Sequence, residues 1–261
     1  MIKNTPVLIL ILLFALGCNL NQSADNEVVI DVDDDFKLTF RENLETIDDD
    51  LLFFLESIDN RECEADTLLM QIDDFATAVR IDIDVVNSTG ACLPGNTPAK
   101  TQAASATLRN DRLALSIKLE DLVNNQGAIL KNDRDFSIQM ETTHGFYLPY
   151  ETILRVPRSS IWGYVGFSPT FREEAQAFLN QFQALTQGLE AEEGQYGYFS
   201  VDKDQEIRVQ GQESVIMYTQ PFLRAFELAR KRDIKSLFEE YQEKYPTMKF
   251  VFYDSFGEKF E

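Results

Sequence analysis

Between residues 28 and 167 apolar and polar positions alternate with a period of two. Phe36, Leu38 and Phe40 flank Lys37 and Thr39, and Ile81, Ile83 and Val85 flank Asp82 and Asp84. Leu113, Leu115, Ile117 and Leu119 alternate with Ala114, Ser116 and Lys118, and Phe136, Ile138 and Met140 repeat the pattern. Ile153 and Leu154 before Val156 continue it. A strand turns successive side chains to opposite faces, so each run predicts a strand with one buried face. Turn-forming residues punctuate the runs at Asn87-Ser88-Thr89-Gly90, Pro94-Gly95-Asn96, Asn124-Asn125-Gln126-Gly127 and Asn132-Asp133. Repeated short strands of this kind predict an N-terminal antiparallel β-sandwich over 28–167. One stretch fits two periods. Phe40, Leu44, Ile47, Leu51, Phe54 and Ile58 share one helical face, but the unbroken apolar run 51–55 after Asp48-Asp49-Asp50 favours a buried strand.

The texture changes at Ser168-Pro169, a capping residue followed by a proline suited to the first helical position. Phe171, Ala175, Phe178, Leu179 and Phe182 then form an apolar stripe of helical spacing. A hairpin is expected over 196–209, turning at Asp202-Lys203-Asp204-Gln205. A second helix is expected from Pro221, a third from Asp233, and a strand over 249–253. The whole reads as α+β: the sandwich followed by a C-terminal α+β domain over 168–261.

Charge narrows the partners. The chain carries 44 Asp and Glu against 24 Lys and Arg, a net charge of -20. That balance opposes nucleic acid and anionic lipid surfaces, both of which are polyanions. Sixteen of the acids fall between Asn19 and Asp66. From Pro169 onward there are seventeen acids against eleven bases, the pattern of solvated faces rather than of one binding surface.

The first eighteen residues have a different character. Lys3 precedes ten apolar residues, 7–16, and the stretch closes on Ala15-Leu16-Gly17-Cys18. As a helix the apolar run is about 15 Å long, half of a ~30 Å hydrocarbon core, so it is too short to span a bilayer and reads as a secretory signal peptide. Its end resembles the lipobox of bacterial lipoproteins, with Ala15 and Leu16 departing from that family's usual order of residues. The resemblance covers residues 1–18 alone. It implies cleavage between Gly17 and Cys18, acylation of Cys18, and a membrane partner reached through the lipid anchor. Asn19, where the family uses Asp for inner-membrane retention, implies the outer membrane, facing the periplasm or the cell surface. Residues 19–27 are polar and aperiodic, as a flexible tether requires.

With Cys18 lipidated, Cys63 and Cys92 remain as an even pair in an exported chain, and a disulfide between them is expected. They lack the His or Cys neighbours of a zinc site.

The other candidate chemistries are weaker than their plain readings. His144 is the single histidine, no G-x-S-x-G elbow accompanies it, and Thr142-Thr143-His144-Gly145 reads as a turn. No catalytic residue is therefore assigned. Ser200-Val201-Asp202-Lys203 has S-x-x-K spacing on a strand, where serine and lysine do not share a helical face. Asp202, Asp204, Glu206 and Glu213 match four ligand positions of a calcium loop, but Ile207 stands where that loop needs glycine. The groups Asp31/Asp33/Asp34/Asp35 and Asp48/Asp49/Asp50 read as solvated turns. Trp162 and Tyr164 suit a core strand or a domain junction better than a ligand groove. No Gly-rich phosphate loop is present and no cofactor is implied.

The expected function is that of a non-enzymatic binding or envelope-assembly lipoprotein, with a protein or a glycan as the partner. The rival is a hydrolase using paired carboxylates in a cleft between the two domains. The anchor is directly testable. Replacing Cys18 with Ser should release the protein from the detergent phase or leave uncleaved precursor, because one lipidated cysteine carries the whole membrane attachment. A Cys18→Ser form that still fractionates as a mature lipid-linked species would refute the lipobox assignment.

Overall fold

The computed structural model describes residues 35–46, 50–60, 63, 65–87, 93, 97–105, 108–120, 122–211 and 218–260. The signal peptide, Cys18, the tether, Asp31, Asp33, Asp34, Asp48, Asp49, Cys92 and Glu213 lie outside them. The strands are β1 (Phe36–Glu42), β2 (Leu51–Asn60), β3 (Thr67–Phe75), β4 (Ala78–Val86), β5 (Pro98–Ala104), β6 (Arg112–Leu119), β7 (Val123–Lys131), β8 (Asp135–Met140), β9 (Phe146–Tyr147), β10 (Thr152–Leu154) and β11 (Ser160–Phe167). After helix α1 (Arg172–Leu185) come β12 (Gln187–Gly188), β13 (Gly194–Gln195), β14 (Phe199–Val201), β15 (Ile207–Val209) and β16 (Tyr218–Ala225). Helix α2 (Lys231–Lys244), β17 (Lys249–Asp254) and β18 (Lys259–Phe260) complete the described chain.

The fold is α+β and dominated by sheets, with a β-sandwich in its N-terminal part. A four-stranded sheet, β5-β2-β1-β9, faces a six-stranded sheet, β10-β8-β7-β6-β4-β3. The alternating residues meet between them: Leu38, Phe40, Leu51, Phe53 and Leu55 from one sheet, Ile81, Ile83, Leu115, Ile117, Phe136 and Ile138 from the other. The ambiguous stretch is strand β2, because its neighbour β1 offers a full register from Phe36↔Ser57 to Glu42↔Leu51. The sandwich is mixed rather than purely antiparallel. β4 pairs with β6, and β1 with β9, in parallel. Between β4 and β6 the chain crosses to the opposite sheet as β5, and strands joined by a crossover are free of the hairpin's antiparallel geometry. The stretch Asn124-Asn125-Gln126-Gly127 lies inside β7 instead of forming a turn. The chain reverses before it, where Glu120 takes φ 48. Asn125, fully buried, uses its amide to clasp the backbone of His144: its Oδ1 accepts from the His144 N–H at 2.8 Å and its Nδ2 donates to the His144 carbonyl at 3.0 Å.

β11 leaves the sandwich. It is the centre of a five-stranded sheet, β12-β16-β11-β17-β18, although its sequence texture continues that of the strands before it. Every residue of β11 is buried. Ile161, Val165 and Phe167 face α1 and α2, with Phe178, Phe182, Phe238, Phe250 and Phe252. Trp162 and Tyr164 face the opposite way, onto Tyr196, Phe199, Val201 and Val209 of the small sheet β13-β14-β15.

Two helix expectations are corrected. The segment at Pro221 is strand β16, paired to β11 from Ser160↔Ala225 to Phe167↔Tyr218. β12 reaches only Arg224 and Ala225, so Pro221 sits at an open sheet edge, where a missing N–H is tolerated. The last helix starts at Lys231, placing Asp233 in its first turn rather than at its cap. Ser168 precedes a short 3₁₀ turn, Pro169–Phe171, that leads into α1, and its hydroxyl makes no capping hydrogen bond.

Gly163 lets β17 approach β11. A Cβ there would stand 1.9 Å from the Val251 carbonyl oxygen, a contact that backbone must move to relieve. Gly163→Ala should therefore destabilise the protein by roughly 1–3 kcal/mol, the scale of an overpacked core. Urea unfolding with the midpoint unchanged would show that the two strands separate freely.

Candidate functional site

The outward face of β1, β2 and β5 carries a groove of about 700 Å³. The residues that alternate with the core point into it: Lys37, Thr39 and Arg41 from β1, Phe54 and Glu56 from β2, and Lys100 from β5. Tyr147, Pro149 and Tyr150 form one wall, and Gly197, Gln210 and Gly211 bring the C-terminal part of the chain to the other. Strand register stacks these side chains in rows. Lys37 stands opposite Glu56, which stands opposite Lys100; Thr39 stands opposite Phe54.

Charge is concentrated in the first row. Glu56 Oε2 lies 2.9 Å from Lys37 Nζ, and Oε1 lies 2.6 Å from Lys100 Nζ. Hydrogen bonds from Lys100 and then Lys37 hold the Glu56 carboxyl below its ordinary range, and the bond to Glu56 raises Lys37. Among the described residues, three cations thus line the groove against one carboxylate, in a chain of net charge -20.

Arg41 is held differently. Its guanidinium carbon sits 4.4 Å from the Phe54 ring centroid and 4.2 Å from that of Tyr198. Its Nε is buried without a hydrogen-bond partner, and among the described residues it makes no ion pair. Stacking between two rings fixes the plane of the guanidinium. Gly197 is required beside it, since its φ is 77° and a Cβ there would lie 2.3 Å from Arg41 Cβ. Tyr198 is itself fixed by donating its hydroxyl to the Glu42 carbonyl at 2.8 Å, and burial raises its pKa. Burial likewise raises Tyr150, whose hydroxyl donates to the Phe40 carbonyl at 3.4 Å.

No family model matches the chain, and neither a curated protein nor a solved structure matches it. The site therefore stands on its own geometry.

The residues singled out from sequence lie elsewhere. Asp202 Oδ1 accepts from the N–H groups of Asp204 and Glu206, each at 2.9 Å, which closes the β14–β15 turn. Glu213 lies outside the described residues. Ser200 is in β14 and Lys203 in the exposed turn after it. Trp162 and Tyr164 are core residues, 0% and 3% exposed. Cys63 is disulfide-bonded, while Cys92, its expected partner, is outside the described residues. The groove was missed because Lys37, Arg41 and Lys100 look, one at a time, like ordinary outward positions of strands. Only the alternation within β1 hinted that Lys37, Thr39 and Arg41 share a face.

The Lys37–Glu56–Lys100 bridge should leave a pH signature. A carboxyl lowered on folding contributes stability above its unfolded pKa, lost as pH falls through the folded one; a raised lysine contributes below its unfolded pKa and loses this only in strong base. Lys100 is well exposed, so the whole bridge is worth at most about 1 kcal/mol. Glu56→Gln should lower stability by that amount at neutral pH, and the difference from wild type should vanish as acid protonates Glu56. Urea titrations that keep the difference undiminished in acid would contradict the assignment.

Proposed function

We propose that the protein is a lipid-anchored envelope protein, attached to the outer membrane through Cys18, that binds a ligand in the groove over β1, β2 and β5 without transforming it. The observation that carries this reading is the contrast of charge: an acidic chain gathers Lys37, Lys100 and a ring-stacked Arg41 around one concave face. A cation held between two rings with a buried, unpartnered Nε is costly to assemble, and a pocket with a few fixed polar groups on an apolar floor is the usual form of a ligand site. Carboxylate-dependent hydrolysis would need a proton-donating carboxyl held above its ordinary range. Glu56, the one carboxylate among the described residues of the groove lining, is held the opposite way by two lysines. No helix among the described residues is long and apolar enough to cross a membrane; the attachment proposed is the lipid on Cys18.

Native mass spectrometry of the protein extracted from its membrane in mild detergent tests the reading. The wild type should carry an added mass that the Arg41→Gln, Lys100→Gln double variant lacks. An added mass retained by that folded variant would move the site away from the groove, and a ligand released in cleaved form would move the reading to the hydrolase.

A further inference from the structure

Resting on the reading of the groove as the ligand site, we infer that its ligand is an acidic saccharide, a chain of sugar rings bearing carboxylates. Three features of the lining select this class together. The first is the number and spacing of cations. Lys37 and Arg41 are four residues apart on β1, about 13 Å at the rise of a strand, with Lys100 in the same row as Lys37. One compact anion cannot reach both ends, whereas an extended ligand with repeated carboxylates can. The second is the surface between them. Phe54, opposite Thr39, lies between the two charged ends, with Tyr147 beside Lys37 and Tyr150 in the same wall, giving flat apolar faces against which the C–H face of a sugar ring can pack. The third is neutral polarity. Thr39, Thr101 and Gln210 supply hydroxyl and amide groups suited to sugar hydroxyls, which are donors and acceptors at once.

Arg41 would make the most specific contact. Its guanidinium is already held between the Phe54 and Tyr198 rings with its Nε buried, so a carboxylate meets a planar fork at little further ordering cost. An acidic peptide is the less suitable occupant. Peptides add to sheets through the main chain at an edge. Here β2 is paired on both sides, by β1 and β5; β1 pairs with β9 at Phe36 and Lys37, and beyond them its Phe40 and Glu42 carbonyls accept from the Tyr150 and Tyr198 hydroxyls. Recognition on such a floor runs through side chains alone.

Isothermal titration calorimetry with the full-length protein in detergent tests this. The probes are trigalacturonic acid and its carboxyl-reduced neutral counterpart. The acid should bind, weaken steeply as salt rises toward about 0.5 M, and lose about tenfold in affinity in both Arg41→Gln and Lys100→Gln. Lys100 is solvent-exposed, so its variant keeps the fold if the substitution at Arg41 does not. Equal affinity for the neutral sugar would overturn the selection for acid while leaving the groove as a saccharide site. Binding of neither probe, or acid binding untouched by both variants, would overturn the inference. The mass carried by the membrane-extracted protein is measured without these sugars and decides the broader reading separately.

Discussion

The structure depends on burying β11 from both sides. A strand covered on one face can alternate with water; one covered on both must carry apolar or small residues throughout, and Ser160–Phe167 does. Its two faces then recruit different partners. The helices bring a phenylalanine-rich layer to one side, where Phe178 and Phe182 meet Phe250, Phe252 and Phe222 at centroid distances of 4.8–5.5 Å. On the other side Trp162 lies 5.3 Å from Phe199 and 5.5 Å from Tyr198. Tyr198 also holds Arg41, so the packing of β11 extends through one ring to the groove wall.

That continuity is reinforced where the sandwich meets the C-terminal part. Glu42, at the end of β1, accepts from the Val156 N–H at 3.1 Å and pairs with Arg155 at 3.3 Å. Both side chains of that pair are well covered, so it is screened less than a surface bridge and would be costly to break from one side. A second buried carboxylate, Asp254, ends β17. Its Oδ1 accepts from the N–H groups of Phe256 and Glu258, and its Oδ2 lies 2.6 Å from Lys231 Nζ. Burial opposes the charge of Lys231, yet hydrogen bonds to Asp254 and Glu258 outweigh it and raise the amine. The start of α2 is thereby tied to the turn between β17 and β18. The Glu42 contacts hold the end of β1 beside Arg41, which lines the groove.

The electrostatics of the chain are easily misread from its sum. A net charge of -20 argues against polyanionic partners as long as charge is treated as spread over the surface. Folding separates it. Lys37 and Arg41 share β1, Lys100 lies 63 residues beyond Lys37 on β5, and the three converge because β1 pairs with β2 and β2 with β5. Among the described residues the groove lining then carries an excess of positive charge on a protein whose total is acidic.

What the sequence determined by itself was the set of local periods: strands around 36–40, 81–85, 113–119 and 136–140, the apolar stripe of α1, and the Asp202 turn, whose side-chain hydrogen bonds are made within four residues. Each of these follows from alternation or from short-range bonding, which one segment can specify alone. Tertiary structure decided the rest. Pro221 became a strand residue because β11 supplied a partner and β12 stopped short of it. Asn124 to Gly127 became strand because the Asn125 amide had His144 to bind in the interior. β11 joined the C-terminal sheet, since a fully buried strand goes where both of its faces can be covered. The groove was the least legible of all, because Phe54, Glu56 and Lys100 join Lys37 and Arg41 only through strand register, and register is set by pairing between segments that no single segment records.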